Sequence, residues 1–288
     1  MGLSLGLQLV PTMPVAEVLR TIETAEQLGY DFCLLADEGL MHDVHVVLGA
    51  AAELTSTIRL GPVTNSYTRH PAATAAAVAT LNELSGGRAL VTLVAGGTMV
   101  LQPLGLERTR PVAVMEDTIH ILRTLWSGER SSFDGEEFQL RDAQLSSGPH
   151  RIPIWVAARG DQLLRLAGGK ADGVVLMAKA DLGPALERVG DNRRHITLAY
   201  LDRPAYTPEM VAEAKEHYGY AIMDSPRRLL ANLGVADDTI ERMQLAMASG
   251  GPQAVAPLVS DEMVANFMIA GTREHCRKAP PALLKLHG

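Results

Sequence analysis

Apolar and polar positions along this chain follow two alternating periods. Seven short runs rich in aliphatic residues have the length of buried strands: 3–9, 31–36, from 58, 88–94, 152–157, 173–176 and 195–201. Between them, segments 15–28, 42–55, 71–84, 111–126, 162–167 and 182–189 carry apolar residues at helical spacing. Strands that alternate with helices over short connections predict a parallel sheet with right-handed crossovers. At 288 residues this points to an α/β fold of the TIM (β/α)8 barrel type rather than an open doubly wound sheet.

Two stretches interrupt the alternation. The first, 127–151, contains SFDGEEFQL and predicts a hairpin turning at Asp134-Gly135. The second, 204–251, predicts three helices near 208–217, 226–233 and 238–248. Residues 264–270 and a helix after Thr272 should then lead to the last strand. The chain instead reads RKAPPALLKLHG, in which Pro280 and Pro281 are expected to break that helix and only 282–286 could pair. The expectation is a single domain, 1–288, with insertions at about 127–151 and 204–251 and an eighth strand that is missing or irregular.

Composition narrows the function. Hydrophobic residues make up 47% and aromatic ones 4%, so aliphatics and alanine must fill the core. A net charge of −7 without a basic cluster argues against nucleic acid and anionic membranes, and no run reaches membrane-spanning length. Two cysteines, Cys33 and Cys276, are too few for a disulfide scaffold and suggest a reducing cytoplasm. Small-molecule chemistry is the better expectation.

Ligands of such folds bind at the carboxyl ends of the strands, and several polar residues fall there. Asp37 and Glu38 follow the second strand. Successive strand residues face opposite ways, and Asp37 is the one expected to face the barrel axis, where a carboxylate can orient or protonate a bound ring. A helix cap is the plainer alternative. After the third strand, Gly61-Pro62 bends the chain ahead of Thr64 and Asn65, while Arg69 and His70 stand at a helix entry that would suit an anion. Ala95-Gly96-Gly97 and Ala157-Ala158-Arg159-Gly160 offer small residues whose backbone can approach a phosphate. Either is also an ordinary turn. His42 and His45 have metal-ligand spacing but no framework around them, and Ser85-Gly86-Gly87-Arg88 reads as a helix end. No Gly-x-Ser-x-Gly elbow supports covalent hydrolysis.

The ordered series LLADE, IRLGPVTNSYTRHPAATAAAVATLNELSGGRA, Ala95-Gly96-Gly97, SFDGEEFQL and IPIWVAARGDQLLRLAGGKADGVVL resembles the bacterial luciferase-like family. It is most similar to the branch of coenzyme F420-dependent oxidoreductases typified by methylenetetrahydromethanopterin reductase. The similarity covers roughly residues 2–178. It implies a TIM barrel with hairpin and helical insertions, a homodimer, and a deazaflavin (F420) or, alternatively, FMN at the strand ends. A degenerate barrel that binds a flavin without catalysis is a third possibility. Asp37, Val63, Thr64 and Asn65 would contact the ring, with a non-prolyl cis peptide near Pro62-Val63 against its face. Gly96, Gly97, Ala157, Ala158, Arg159, Gly160, Leu176 and Met177 would lie on the phosphate side. Glu38 stands where the branch has His, and the turn after Gly61-Pro62 is one residue shorter than the family's.

Overall fold

The computed structural model describes residues 3–177 and 181–285, with side chains to residue 279. They form two compact units, 3–157 with 170–173 and 158–169 with 174–177 and 181–285.

In the first unit, β1 (Gly6–Leu9), β2 (Phe32–Ala36), β3 (Arg59–Thr64), β4 (Val91–Leu93) and β7 (Ile154–Ala157) form consecutive neighbours of a parallel sheet. The helices α1 (Val15–Gln27), α2 (Val44–Leu54), α3 (Pro71–Leu84) and α5 (Pro111–Trp126) connect them, with a four-residue α4 (Thr98–Leu101) inside the predicted loop 96–110. Register separates the two sheet faces. Phe32 pairs with Arg59, Ala36 with Val63, Val63 with Thr92 and Thr92 with Trp155, so these residues share one face. The Phe32 and Trp155 rings meet edge-on on it, 5.2 Å apart. Glycine makes room for both: a Cβ on Gly6 would lie 1.9 Å from the Phe32 ring, and one on Gly173 would lie 2.6 Å from Trp155. Cys33, Leu35, Leu60, Leu93, Ile154 and Val156 occupy the other face and are fully buried.

Two charges of opposite sign pin the amino end of β3. From α1, the Glu26 carboxylate accepts the amides of Ser56 (2.9 Å), Thr57 (2.6 Å) and Ile58 (2.9 Å). Arg88 donates to the carbonyls of Ser85, Ile58, Ala52 and Thr55 and to the Thr55 hydroxyl. The motif read as a helix end thus also fastens α2, β3 and α3 to one another.

The first insertion is a two-stranded hairpin, β5 (Ser131–Asp134) and β6 (Gln139–Ala143). Its turn is longer than the predicted Asp134-Gly135 pair and spans 135–138, closed by the Gly135 amide on the Phe138 carbonyl. Buried Asp117 of α5 accepts the amides of Glu137 (2.7 Å) and Phe138 (3.1 Å), and that anchor favours the wider turn. The expected bulge at Pro62-Val63 is absent. β3 runs straight through both residues in regular parallel register, leaving no extra residue to bulge, and among the described residues the cis bond is Gly148-Pro149.

The second unit holds α6 (Asp161–Lys170), most of β8 (Gly173–Leu176), α7 (Leu182–Val189) and β9 (Thr197–Tyr200), which neighbours β8. A helical layer follows: α8 (Pro208–Met223), α9 (Arg227–Asn232), α10 (Asp237–Val255) and α11 (Asp261–Phe267). It has its own core of Ala214, Ile222, Leu229, Leu230, Met243, Val255, Val264 and Phe267. The layer therefore outruns the predicted limit at 251. Gly251, with φ 66, kinks α10 ahead of Pro252 rather than ending the insertion.

Among the described residues no strand follows β9; a single parallel bridge joins Ala205 and Ala270. Helix α12 (Arg273–Lys285) runs through Pro280 and Pro281, which the sequence reading took as its end. Both prolines lie in the interior of the helix, which continues without the amide bonds they would make to the turn before. Of the expected pairing segment 282–286, the first four residues are helical and Leu286 lies outside the described residues.

Candidate functional site

In the first unit the exits of β2, β3 and β4 carry the polar groups. The Asp37 amide donates to the Val63 carbonyl at 2.9 Å, extending the β2–β3 ladder by one residue. Leu35 pairs with Pro62, so Asp37 and Thr64 share the next position on that face, and the Thr64 hydroxyl donates to the Asp37 carboxylate at 2.7 Å. Alternation carried on from Ala36 assigns Glu38 to the face of Phe32 and Trp155. Burial, with the Asp37 carboxylate beside it, pushes the Glu38 carboxyl up and favours its protonated form.

The turn after β3 is built on Asn65. Its side-chain oxygen accepts the amides of Tyr67 (2.9 Å) and Thr68 (3.0 Å), an Asx turn that holds Thr64, Asn65 and Ser66 buried. Thr118 of α5 braces it, donating to Ser66 at 2.8 Å. Tyr67 reaches the Thr109 carbonyl, and Arg108 donates to the Gly96 carbonyl at 3.2 Å. Gly96 has φ 76, and a Cβ there would meet Leu101 at 2.9 Å and Tyr67 at 3.2 Å. Glycine is thus required at the β4 exit, and Gly97 caps α4 behind it.

His70 is a helix cap, its Nδ1 accepting the Ala72 amide at 3.1 Å. Arg69 stands 4.0 Å from Asp43, and burial together with that guanidinium holds His45 below its usual range. No group of three or more metal-ligating side chains occurs among the described residues.

Ala157 closes β7 in the first unit. In the second, the Ala158 amide donates to the Val175 carbonyl at 3.3 Å, which ties the start of the next loop to β8. Leu176, the last residue of β8, is buried and Met177 half-buried. Arg159 points its guanidinium at the carboxyl end of α8, donating to the Ala221 carbonyl and to Ser225 Oγ at 3.0 Å. Tyr67 and Asp161 lie in stretches the sequence marks, but their partners Thr109 and Arg228 do not, nor do Arg108 and Asp181. No local motif marks the last four, because their partners lie up to 67 residues away.

The luciferase-like monooxygenase family model matches residues 4–282. The chain is 32% identical over 284 residues, 93% of its length and 86% of the relative's, to the 5,10-methylenetetrahydromethanopterin reductase of Archaeoglobus fulgidus. It is 26% identical to that of Methanopyrus kandleri over 93% of this chain and 85% of that one. Among solved structures it superposes on the coenzyme F420 dependent tetrahydromethanopterin reductase of Methanopyrus kandleri with a TM-score of 0.86. That match has 24% identity and covers 100% of this chain and 91% of the other. An F420-dependent secondary alcohol dehydrogenase in complex with an F420–acetone adduct matches with a TM-score of 0.77 and 18% identity, covering 99% and 91%. The fold class is therefore α/β of the TIM-barrel type, and the chain belongs to the luciferase-like family.

Proposed function

We propose that the protein is an F420-dependent oxidoreductase that moves a hydride between the deazaflavin and a small organic or pterin-like substrate. The whole-chain match to methylenetetrahydromethanopterin reductases carries this reading. The FMN-dependent alternative is more distant: a Baeyer–Villiger monooxygenase solved in complex with FMN superposes with a TM-score of 0.67 and 16% identity. We further infer one luciferase-like domain that works as a cytoplasmic homodimer. No helix among the described residues is long and apolar enough to cross a membrane.

The residues present suit a flat, partly polar ring. Asp37, Thr64 and Asn65 supply hydrogen-bonding groups where β2 and β3 end, and Gly96, against Leu101 and Tyr67, presents bare backbone at the β4 exit. Thr92 Oγ1, on the face of Val63, is buried without a partner, a hydroxyl that a bound ring edge would satisfy. In this reading Asp37, Val63, Thr64 and Asn65 hold the ring, while Gly96, Gly97, Ala157, Ala158, Arg159, Gly160, Leu176 and Met177 serve the phosphate side. Backbone groups serve there more than Arg159, whose guanidinium bonds to α8.

The deazaflavin, when bound, supplies hydride transfer at C5 and needs no metal. The chain's own part is positioning and proton control. Thr64 fixes the Asp37 carboxylate by donating to it, and that fixed charge helps keep the proton on Glu38. Glu38, its carboxyl pushed up by burial and by Asp37, is the group this reading assigns as general acid.

Anaerobic incubation of the purified protein with F420 and candidate substrates tests the reading. Substrate-dependent change in the deazaflavin absorbance is expected. Retention of FMN with oxygen consumption would replace the reading with the monooxygenase one, and binding of neither would favour a degenerate barrel. Light scattering of the same sample should give the mass of a dimer.

A further inference from the structure

The corner between α8 and α9 grips the 158–161 loop from both ends. Arg159 reaches out of the loop into the last turn of α8, where the Ala221 carbonyl and Ser225 Oγ receive it, and Ser225 itself donates to Ala221 at 2.7 Å. A cation at a helix carboxyl end is favoured by the unpaired carbonyls there. In the opposite direction Arg228, in the first turn of α9, donates Nε to Asp161 at 2.9 Å. It also forms a bidentate pair with Asp181 at 2.7 and 2.9 Å. Arg188 of α7 reaches the same Asp161 oxygen at 2.7 Å. Between these anchors, Pro226 lies 3.8 Å from where a Gly160 Cβ would stand.

We propose that Arg228 is a positioning residue, which sets the conformation of the 158–161 loop and, through it, the affinity for the anionic part of the cofactor. This rests on the F420 reading for the ligand, though not for the clamp itself. The geometry favours positioning over direct anion binding. Arg228 spends both terminal nitrogens on Asp181, whose side chain is 3% exposed, and its Nε on Asp161. Two guanidiniums and two carboxylates balance in charge, so the network offers an anion no net attraction. What it offers is rigidity, since a planar fork held by three hydrogen bonds keeps α9 and the start of α6 in one arrangement. The Arg188 and Arg228 hydrogen bonds hold the Asp161 carboxyl below its usual range, so the clamp stays charged through neutral pH.

Hydrogen exchange on the full chain without cofactor is the first test, comparing wild type with Arg228→Met. The Ala158 and Leu164 amides, bonded to Val175 and Gly160, should exchange at least about tenfold faster in the variant, with the α8 and α10 amides unchanged. Unchanged exchange in 158–164 overturns the proposal. So does uniform acceleration through α8 to α11, which is what a merely structural role gives. Steady-state kinetics should show the F420 KM raised about tenfold with kcat within twofold, and equal losses in both would again count against positioning. Asp181→Asn, which weakens the fork and leaves Arg228 on Asp161, provides the same readouts if Arg228→Met does not fold. Should the wild type bind no F420, the cofactor reading fails and exchange alone decides the clamp.

Discussion

The two units hold their strand-end loops by different means. In the first, none of the ties pairs two charges: Asn65 to Tyr67 and Thr68, Thr64 to Asp37, Tyr67 to Thr109. In the second they are ionic and long in sequence, Arg228 binding Asp161 across 67 positions and Asp181 across 47. The difference follows from what lies beside each loop. A register-locked sheet already fixes the exits of β2, β3 and β4, so small polar groups suffice. The loop after β7 faces a helical layer without such a ladder, and directed charge pairs supply the missing geometry.

Breaking each unit at its centre should separate them most strongly. Phe267→Ala empties the largest fully buried side chain of the helical core and is expected to cost about 3–5 kcal/mol in urea unfolding. If the helical layer melts first, the loss appears in one of two transitions and the sheet's transition stays put. Next is Arg88→Met, which leaves four carbonyls without their donor. A cost of about 3 kcal/mol is expected, seen in the sheet's transition. A loss below about 1 kcal/mol would mean that water replaces the guanidinium.

Glu26 gives a smaller, pH-dependent effect. Burial works against its charge, but the amides of Ile58, Thr57 and Ser56 outweigh burial and bring its pKa from 4.5 to about 2. A carboxyl depressed on folding stabilises above its unfolded pKa, and this contribution fades as pH falls from 4.5 toward 2. Allowing for solvent screening, we expect about 1–2 kcal/mol at pH 6. Glu26→Gln should lose this at pH 6 and match wild type near pH 2; a gap that does not close with acid contradicts the assignment. Smallest in stability is Thr64→Val, at about 1 kcal/mol. Its main effect should be kinetic: freed of the Thr64 bond, Asp37 repositions and acts less on Glu38, and the alkaline limb of the kcat pH profile moves to lower pH. An unchanged profile removes Thr64 and Asp37 from proton control.

Much of the sheet was legible because its residues report their own surroundings. The aliphatic runs at 31–36 and 152–157 are buried on both faces, and Pro71 and Pro111 open helices at the positions where proline costs least. The ring-side residues were found because strand ends are where such folds place chemistry. Facing was harder to read: Asp37 and Glu38 are adjacent, and only the register of Leu35 with Pro62 shows which one meets Thr64. Long-range polar partners left no trace in periodicity. Nothing near Asp161 announces Arg228, and nothing near Glu26 announces the amides of 56–58. The Pro280-Pro281 pair misleads in the other direction, since the helix from Arg273 continues through both.

The brevity of β4 has a consequence for synthesis. Arg88 closes contacts that reach back only to Ala52, so α2, β3 and α3 can fasten together as soon as Arg88 has emerged. β4 then waits for β7, whose first residue comes 66 positions later (154 − 88), roughly 3–13 s at ordinary elongation rates. During that interval its outer edge is an open template for another chain. With three residues, Val91 to Leu93, that edge offers a foreign strand few bonds, so a short β4 limits the exposure of the nascent chain to wrong pairing.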